Sequence, residues 1–369
     1  MSWDCSCAIW EANVPYKPEL RQLQPPAPRI NAPNWRDGLL LRSTNWLGDL
    51  LMTLPAAYQL KRSIPEACGL FVLTPAALAD IWLACPWVDV VIPMQGKRIS
   101  KTEIQRARSL NPGMALVLPN SFGAALDIYR CAVPLRIGRR GRGRSLLLNH
   151  RLPEWKRGEN TGKFHQLSYY LHLVSSLGDV RLETNCPPLR QNPELAAQYC
   201  INKNGRWLAL APGAAYGPAK QWPPQYYSEI ARRWQEQGGK LVLLGTKKEL
   251  AAGAEIAAAC PKTLNLIGKT DMATLMSILA NVQAIVANDS GVMHLGAALG
   301  ARGIAIFGST DPIATGPIGG KWKLEVSQAQ CRPCFKRFCP LPEAQKYHCL
   351  HQITPQQVYD SLCSIVKPD

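Results

Sequence analysis

The sequence contains no stretch that reads as a membrane-spanning helix. Its most apolar long run, Gly69 to Met94, carries Asp80 and Asp89 and is cut by Pro75, Pro86 and Pro93. A spanning helix needs about 20 apolar residues without such interruptions. The N-terminal residues lack the basic start and apolar core of a secretory signal. The 28 Gly and 30 Pro follow no period, which excludes a collagen-like fibre. Hydrophobic residues at 47% against charged residues at 18% exclude a disordered chain. Acidic residues are few: 26 Asp and Glu stand against 42 Lys and Arg, a formal net charge of +16. That imbalance favours an anionic partner such as nucleic acid, an acidic membrane surface or a phosphorylated substrate. These absences leave a cytosolic protein that rests at most on a membrane surface.

Several catalytic signatures are also missing. No G-x-G-x-x-G follows the first strand, so the usual dinucleotide fingerprint is absent. There is no G-x-x-x-x-G-K-[ST] phosphate loop, no G-x-S-x-G nucleophile elbow and no H-E-x-x-H helix.

What is present is an alternation of short apolar strands and helical segments. At 369 residues the chain is long enough for two domains. Residues 1–34 form a proline-rich extension, in which Pro15, Pro18, Pro25, Pro26, Pro28 and Pro33 rule out regular structure. This segment is expected to lie extended or draped over the surface. Strands are predicted at 39–41, 70–74, 88–92 and 115–118, with helices to about 62 and over 76–84, 122–131 and 164–177. A second run places strands at 207–210, 241–244, 264–267, 284–287 and 303–307, with helices over 224–237, 249–259, 272–279 and 291–299. This alternation predicts an α/β chain with two doubly wound, Rossmann-like parallel sheets, in domains 35–185 and 186–353. A last helix falls in 354–369, where Thr354 suits the N-cap and Pro355 the first turn. Ligands of such sheets bind beyond the carboxyl ends of the strands, so the cleft between the domains is the expected site.

Three segments bring chemistry to that cleft. In AIVANDSGVMHLG (284–296), a strand ends at Asn288-Asp289 and a helix opens at Ser290-Gly291. Its free N–H groups and dipole make a phosphate site, with His294 in the first turn facing the same side. Asp289 and Ser290 also fit a simple helix cap. In LALAPGAAYGPAKQWP (208–223), a loop containing Pro212, Gly213 and Gly217 presents Lys220, which can neutralise a departing phosphate. In the first domain, Asp49 stands at a helix start, where a carboxylate can act as a general base. The helix N-terminus keeps it a weak base, suited to a proton that moves late. One anion-holding domain facing one carboxylate suits displacement at a sugar carbon with inversion and loss of a diphosphate. A retaining route through a covalent intermediate would want a nucleophile as well.

The set N-W-L-G-D (45–49), L-P-N-S-F (118–122), A-P-G-A-A-Y-G-P-A-K-Q-W-P (211–223) and N-D-S-G-V-M-H (288–294) resembles the ADP-heptose:lipopolysaccharide heptosyltransferases of glycosyltransferase family nine. The resemblance runs in matching order over about residues 38–366 and is strongest to the branch that adds the second inner-core heptose. It implies a GT-B fold, with the last helix crossing back to the first domain. It implies ADP-L-glycero-D-manno-heptose as donor and heptosyl-Kdo2-lipid A as acceptor, in lipopolysaccharide inner-core synthesis at the cytoplasmic face of the inner membrane. On the matching positions, Asp49 would be the base and Lys220 would stabilise the departing ADP. Gly213 would line the donor loop and Asp289 would hold donor hydroxyls. The Ser290 and Gly291 amides would meet the pyrophosphate, with His294 nearby. Glu249 resembles the ribose-binding acid and Met272 a residue near the adenine. Two departures stand out. Ala215 replaces a residue that is often polar or acidic, and residues 1–34 match nothing in the family.

The basic run RIGRRGRGR (136–144) adds guanidinium forks suited to carboxylates and phosphates. Under the resemblance, Arg136, Arg139 and Arg140, with Asn120 and Ser121, would meet the acidic groups of the acceptor. The aromatic interleaving of single-strand nucleic-acid binders is missing, so no nucleic acid is expected. Of the 13 cysteines, Cys68, Cys85 and Cys260 read as small apolar side chains. Cys331, Cys334, Cys339 and Cys349 cluster with spacing that admits a structural zinc site, free or buried thiols, or disulfides. The chemistry requires no metal or other cofactor. Two rivals remain at this level. One is another GT-B transferase, including one that adds the first heptose; the other is a non-catalytic polyanion-binding protein using the arginine run.

Overall fold

The computed structural model describes residues 15–154 and 162–366. The first half runs β1 (Gly38–Arg42), α1 (Leu47–Ser63), β2 (Gly69–Pro75), α2 (Ala79–Leu83), β3 (Val90–Met94), α3 (Lys101–Ser109), β4 (Met114–Val117), α4 (Phe122–Arg130), β5 (Leu135–Arg139), β6 (His150–Leu152) and α5 (Leu167–Val174). The second half opens with α6 (Pro193–Ala197), β7 (Trp207–Ala211), α7 (Pro224–Glu236), β8 (Lys240–Leu243), α8 (Leu250–Ala259), β9 (Leu264–Asn265) and α9 (Met272–Asn281). It continues with β10 (Ala284–Asn288), α10 (Gly291–Ala298), β11 (Arg302–Phe307), α11 (Pro312–Thr315), β12 (Lys321–Val326), α12 (His348–His351) and α13 (Pro355–Val366).

The strands build two six-stranded sheets, ordered β3-β2-β1-β4-β5-β6 and β12-β11-β10-β7-β8-β9. Pairing within both is parallel. Counted from its own first strand, each sheet has the same order, 3-2-1-4-5-6. The strand order therefore reverses between β1 and β4 in one sheet and between β7 and β10 in the other, and each reversal opens a crevice at the carboxyl ends.

The central strands GLLLR, WLALA and AIVAN are buried at every position, as helices on both faces require. In the first sheet, Leu40, Leu73, Ala115 and Val117 pack against Ile104 of α3 and Ala124 and Ile128 of α4. Leu39, Leu41 and Leu116 face the other way, toward α1 and α5. In the second sheet, Leu208, Leu243, Val286 and Ile304 pack against Tyr227 and Trp234 of α7. The opposite-facing Ala209, Val242, Ile285 and Ala305 join the same apolar cluster as Leu39 and Leu41. One core thus passes from sheet to sheet.

Two expectations change here. The last helix does not cross to the first domain. Val358, Tyr359 and Leu362 of α13 bury into the cluster that holds Leu208, Ile304 and Trp222, because its apolar stripe fits the outer face of the second sheet. Tyr359 donates to the Arg233 carbonyl of α7 at 3.3 Å. The arginine run is not one surface loop, since residues 135–139 are strand β5.

Of the N-terminal extension, residues 1–14 lie outside the described residues. Residues 15–30 run along both halves. The Tyr16 N–H donates to the Trp322 carbonyl and its hydroxyl to the Pro312 carbonyl, each at 2.8 Å. Farther on, the Glu19 carbonyl accepts from the His165 N–H at 2.7 Å, and the Ile30 N–H donates to the Ser176 carbonyl at 2.9 Å. Leu23 and Ala27 are buried along this path.

Candidate active site

In the second sheet the crevice lies between the loop after β7 and the end of β10. Asn288, fully buried, ties the two together. Its Oδ1 accepts from the Trp222 N–H at 3.1 Å and the Tyr227 hydroxyl at 3.0 Å, and its Nδ2 donates to the Pro212 carbonyl at 2.7 Å. Held in this way, Lys220 Nζ donates to Asp289 Oδ2 at 2.5 Å, and Thr310 Oγ1 donates to the same oxygen at 2.6 Å. Burial pushes the Asp289 carboxyl upward, but Lys220 above all, with the hydrogen bonds, outweighs it and holds the group below the usual carboxylate value. The lysine side chain keeps 16% of its surface against 4% for the aspartate, so the pair is open at its cationic end.

Around this pair the carboxyl ends carry unspent polar groups. Ser290 occupies the N-cap position of α10 without a side-chain cap bond. Its Oγ is buried and unpartnered, as is that of Ser309 beyond β11. Buried hydroxyls of this kind are what a ligand's oxygens would satisfy. Glu249, in the turn between β8 and α8, takes bonds from the Thr246 N–H and Oγ1, both at 2.7 Å to Oε2. It lies against Gly213, where an added Cβ would come within 2.7 Å of the glutamate Cγ. Met272 opens α9 beyond β9, behind an Asp271 cap. Gly213, Glu249, Met272 and Asp289 to Gly291 therefore line the ends of four adjacent strands. A pocket of about 360 Å3 shares Glu249 with this row and extends past Pro212 to Trp222, Tyr347 and His351.

In the first sheet β1 ends at Arg42, which is buried. It donates to Asp127 Oδ2 at 3.3 Å, to the Ser43 carbonyl at 2.5 Å and to Asn45 Oδ1 at 2.9 Å. That network fixes the turn into α1, whose first turn carries Asp49. Tyr170 of α5 lies beside this carboxylate. Burial chiefly, and then the Asp49 charge, holds its hydroxyl well above the usual tyrosine value.

The two crevices meet through their helix starts. A Cβ on Gly48 would stand 3.0 Å from His294 Cδ2, and one on Gly291 would stand 2.7 Å from Leu47 Cδ2. Each helix receives a side chain from the other at a position that only glycine leaves open. His294 is thus buried against the other half of the molecule, beside the residue that precedes Asp49. Burial lowers it to about 4, against the pull of Asp289, so the imidazole is neutral near pH 7.

The expected acceptor residues divide. Asn120 is at the crevice, bonded to the Tyr169 hydroxyl and to Arg144. Arg140 is exposed at the end of β5. Ser121 instead caps α4, accepting from the Ala124 N–H at 3.2 Å. Arg136 lies at the opposite end of β5, bonded to the Leu147 and Val133 carbonyls. Arg139 is buried, bonded to the Pro153 and Tyr169 carbonyls and stacked 4.1 Å from the Tyr169 ring.

Sequence reasoning missed Asn288, Thr310 and the Arg42–Asp127 pair. Arg144, the last of the arginine run, is buried with Nε unpartnered. A charged residue closing an otherwise apolar strand, as in GLLLR, was the available signal for Arg42. The four clustered cysteines are free. Burial and the neighbouring thiols raise Cys349 to about 11. Among the described residues, no three His, Cys, Asp or Glu side chains stand where they could hold one metal ion.

Comparison with known proteins agrees with this architecture. The chain is 29% identical to lipopolysaccharide heptosyltransferase 2 of Salmonella typhimurium over 90% of its own length and 99% of the relative's. It is 30% identical to lipooligosaccharide heptosyltransferase 2 of Haemophilus influenzae over 77% and 86%. The structure of Escherichia coli ADP-heptose lipopolysaccharide heptosyltransferase II superposes with a TM-score of 0.75 at 28% identity, covering 89% of this chain and 98% of that one. Residues 104–345 match glycosyltransferase family 9 (heptosyltransferase), and the chain belongs to that family.

Proposed function

We infer that this chain transfers L-glycero-D-manno-heptose from ADP-heptose to heptosyl-Kdo2-lipid A, with inversion, in assembly of the lipopolysaccharide inner core. The observation that carries this reading is the Lys220–Asp289 pair at one switch point, facing Asp49 at the other across the Gly48–His294 contact. In the proposed reaction Asp49 accepts the proton of the acceptor hydroxyl. That oxygen bonds to the anomeric carbon as the bond from that carbon to the diphosphate oxygen breaks, and ADP leaves. Lys220 turns from Asp289 to the departing phosphate and offsets its growing charge. Asp289, Ser290 and Gly291 hold the sugar and diphosphate, Glu249 and Gly213 the ribose side, and Met272 the base. No cofactor takes part in these steps.

On the acceptor side, Asn120, Arg140 and Arg144 suit the carboxylates and phosphates of the Kdo–lipid A portion. Among the described residues, no helix is long and apolar enough to cross a membrane. Trp46, Phe122 at the start of α4 and Leu146 are exposed beyond the carboxyl ends of the first sheet, as are Arg140 and Arg142. With the charge of +16, they support attachment to the anionic cytoplasmic face of the inner membrane.

The test follows ADP release from ADP-heptose with heptosyl-Kdo2-lipid A, together with the mass of the acceptor. Release with a heptose-sized mass gain is expected. Release with Kdo2-lipid A alone would reassign the chain to the first heptose. Asp49→Ala is expected to lower turnover about a thousandfold with ADP affinity nearly intact; near-normal turnover rejects Asp49 as the base.

A further inference from the structure

The cysteine-bearing segment after β12 touches the loop that carries Lys220 and the loop after β11, whose Thr310 bonds to Asp289. On the Asp289 side, Arg332 donates from Nε to the Gly308 carbonyl at 2.9 Å and from Nη2 to the Thr310 carbonyl at 2.7 Å. The Phe335 N–H adds a bond to the Ser309 carbonyl at 2.9 Å. These three bonds hold the backbone from Gly308 to Thr310, and it is the Thr310 hydroxyl that donates to Asp289. On the Lys220 side, the Phe335 carbonyl accepts from the Tyr216 hydroxyl at 2.7 Å, and the Arg337 carbonyl accepts from the Ala219 N–H at 3.3 Å. Lys220 follows Ala219 directly, and its Nζ lies 5.3 Å from the Tyr216 ring centroid.

We propose that residues 332–337 form a bracket that sets the spacing of Lys220 and Asp289, with Arg332 as its positioning residue for donor use. The argument is geometric. The two loops leave different strands, β7 and β11, and the ion pair itself must loosen when a diphosphate draws Lys220 away. Asn288 ties the β7 loop to the end of β10, and the Arg332–Thr310 and Phe335–Tyr216 links tie it to the β11 loop that bonds Asp289, without occupying the polar atoms the donor needs. A guanidinium suits the task, since its rigid fork reaches two carbonyls two residues apart. The proposal rests on the reading of these loops as donor-binding.

The test measures steady-state kinetics and ADP affinity on the full-length chain. Arg332→Met is expected to lower kcat/KM for ADP-heptose about tenfold, with the KM for the acceptor unchanged. Arg332→Lys, which keeps donors for the carbonyls, is expected to recover most of that loss. In a Thr310→Val background the further effect of Arg332→Met is expected to shrink to under about twofold, because its path to Asp289 is already cut. Tyr216→Phe tests the other link, should Arg332→Met fail to fold, and is expected to lower donor kcat/KM about threefold. Unchanged donor kinetics in Arg332→Met, or in Tyr216→Phe where that variant stands in, overturns the bracket, as does full additivity of Arg332→Met with Thr310→Val. A wild-type chain that neither binds ADP nor releases it from ADP-heptose overturns the functional reading instead, and the bracket with it.

Discussion

The two sheets share one strand order, and each places a buried ion pair across its switch point. Arg42 and Asp127 join the end of β1 to the helix after β4, with side chains 1% and 0% exposed. Lys220 and Asp289 join the loop after β7 to the end of β10, with side chains 16% and 4% exposed. The topology is the same and the charges are alike, but their commitments differ. Arg42 spends its guanidinium on Asp127, a carbonyl and Asn45, all within the protein, and so fixes a turn. Lys220 has one carboxylate partner and an open side, and so can change partner. A sealed pair holds architecture, whereas a pair with one open edge is available for chemistry.

Four measurements would break or sharpen that contrast. The largest effect is expected at the sealed pair. Asp127→Asn leaves a buried guanidinium without its counter-charge and should cost about 3–5 kcal/mol of stability by denaturant unfolding. If the loss is under about 1 kcal/mol, the first pair is not the structural one. Lys220→Met should reverse the pattern, with stability changed far less and donor kcat/KM down about a hundredfold. A large loss of stability with normal donor kinetics would make the two pairs equivalent.

The third measurement is pH dependence. Burial lowers His294 to about 4 and His165 to about 3 from 6.5. As pH falls below 6.5 the unfolded chain takes up protons that the folded chain refuses. Stability is therefore full above that value and declines toward pH 4, by about 3 kcal/mol for His294 at full extent. His294→Gln should flatten part of the decline; a melting curve equally steep without the imidazole would place the cause elsewhere. The smallest effect belongs to Ser121→Ala, which removes a helix cap worth about 1 kcal/mol and should leave the acceptor KM unchanged. A raised acceptor KM would return Ser121 to the substrate side.

Both sheets were legible in the sequence because their central strands, such as LLL and AIVA, are continuous apolar runs bounded by loops. Strands β5 and β12 were not. Strand β5 (LRIGR) reads as a basic loop, and β12 (KWKLEV) has too few apolar residues to stand out. Within the site, Asp289, Lys220 and Asp49 could be singled out because each follows a recognisable strand. Thr310, Asn288 and Arg332 were not, because their partners lie 21, 66 and 24 residues away in the chain, and pairing at such distances is a property of the assembled sheet. For the same reason, local spacing puts His294 at the helix start but says nothing of its contact with Gly48 in the other half.

The strap of residues 15–30 has a consequence for how the protein is made. Tyr16 leaves the ribosome early, while its carbonyl partners at Pro312 and Trp322 leave nearly 300 residues later; the Tyr16–Pro312 bond spans 296 positions. Synthesis delivers the first sheet while that seam has nothing to close on. The stitch that ties the halves together therefore cannot close until β12 has been made, and its formation marks the moment when both sheets are in place.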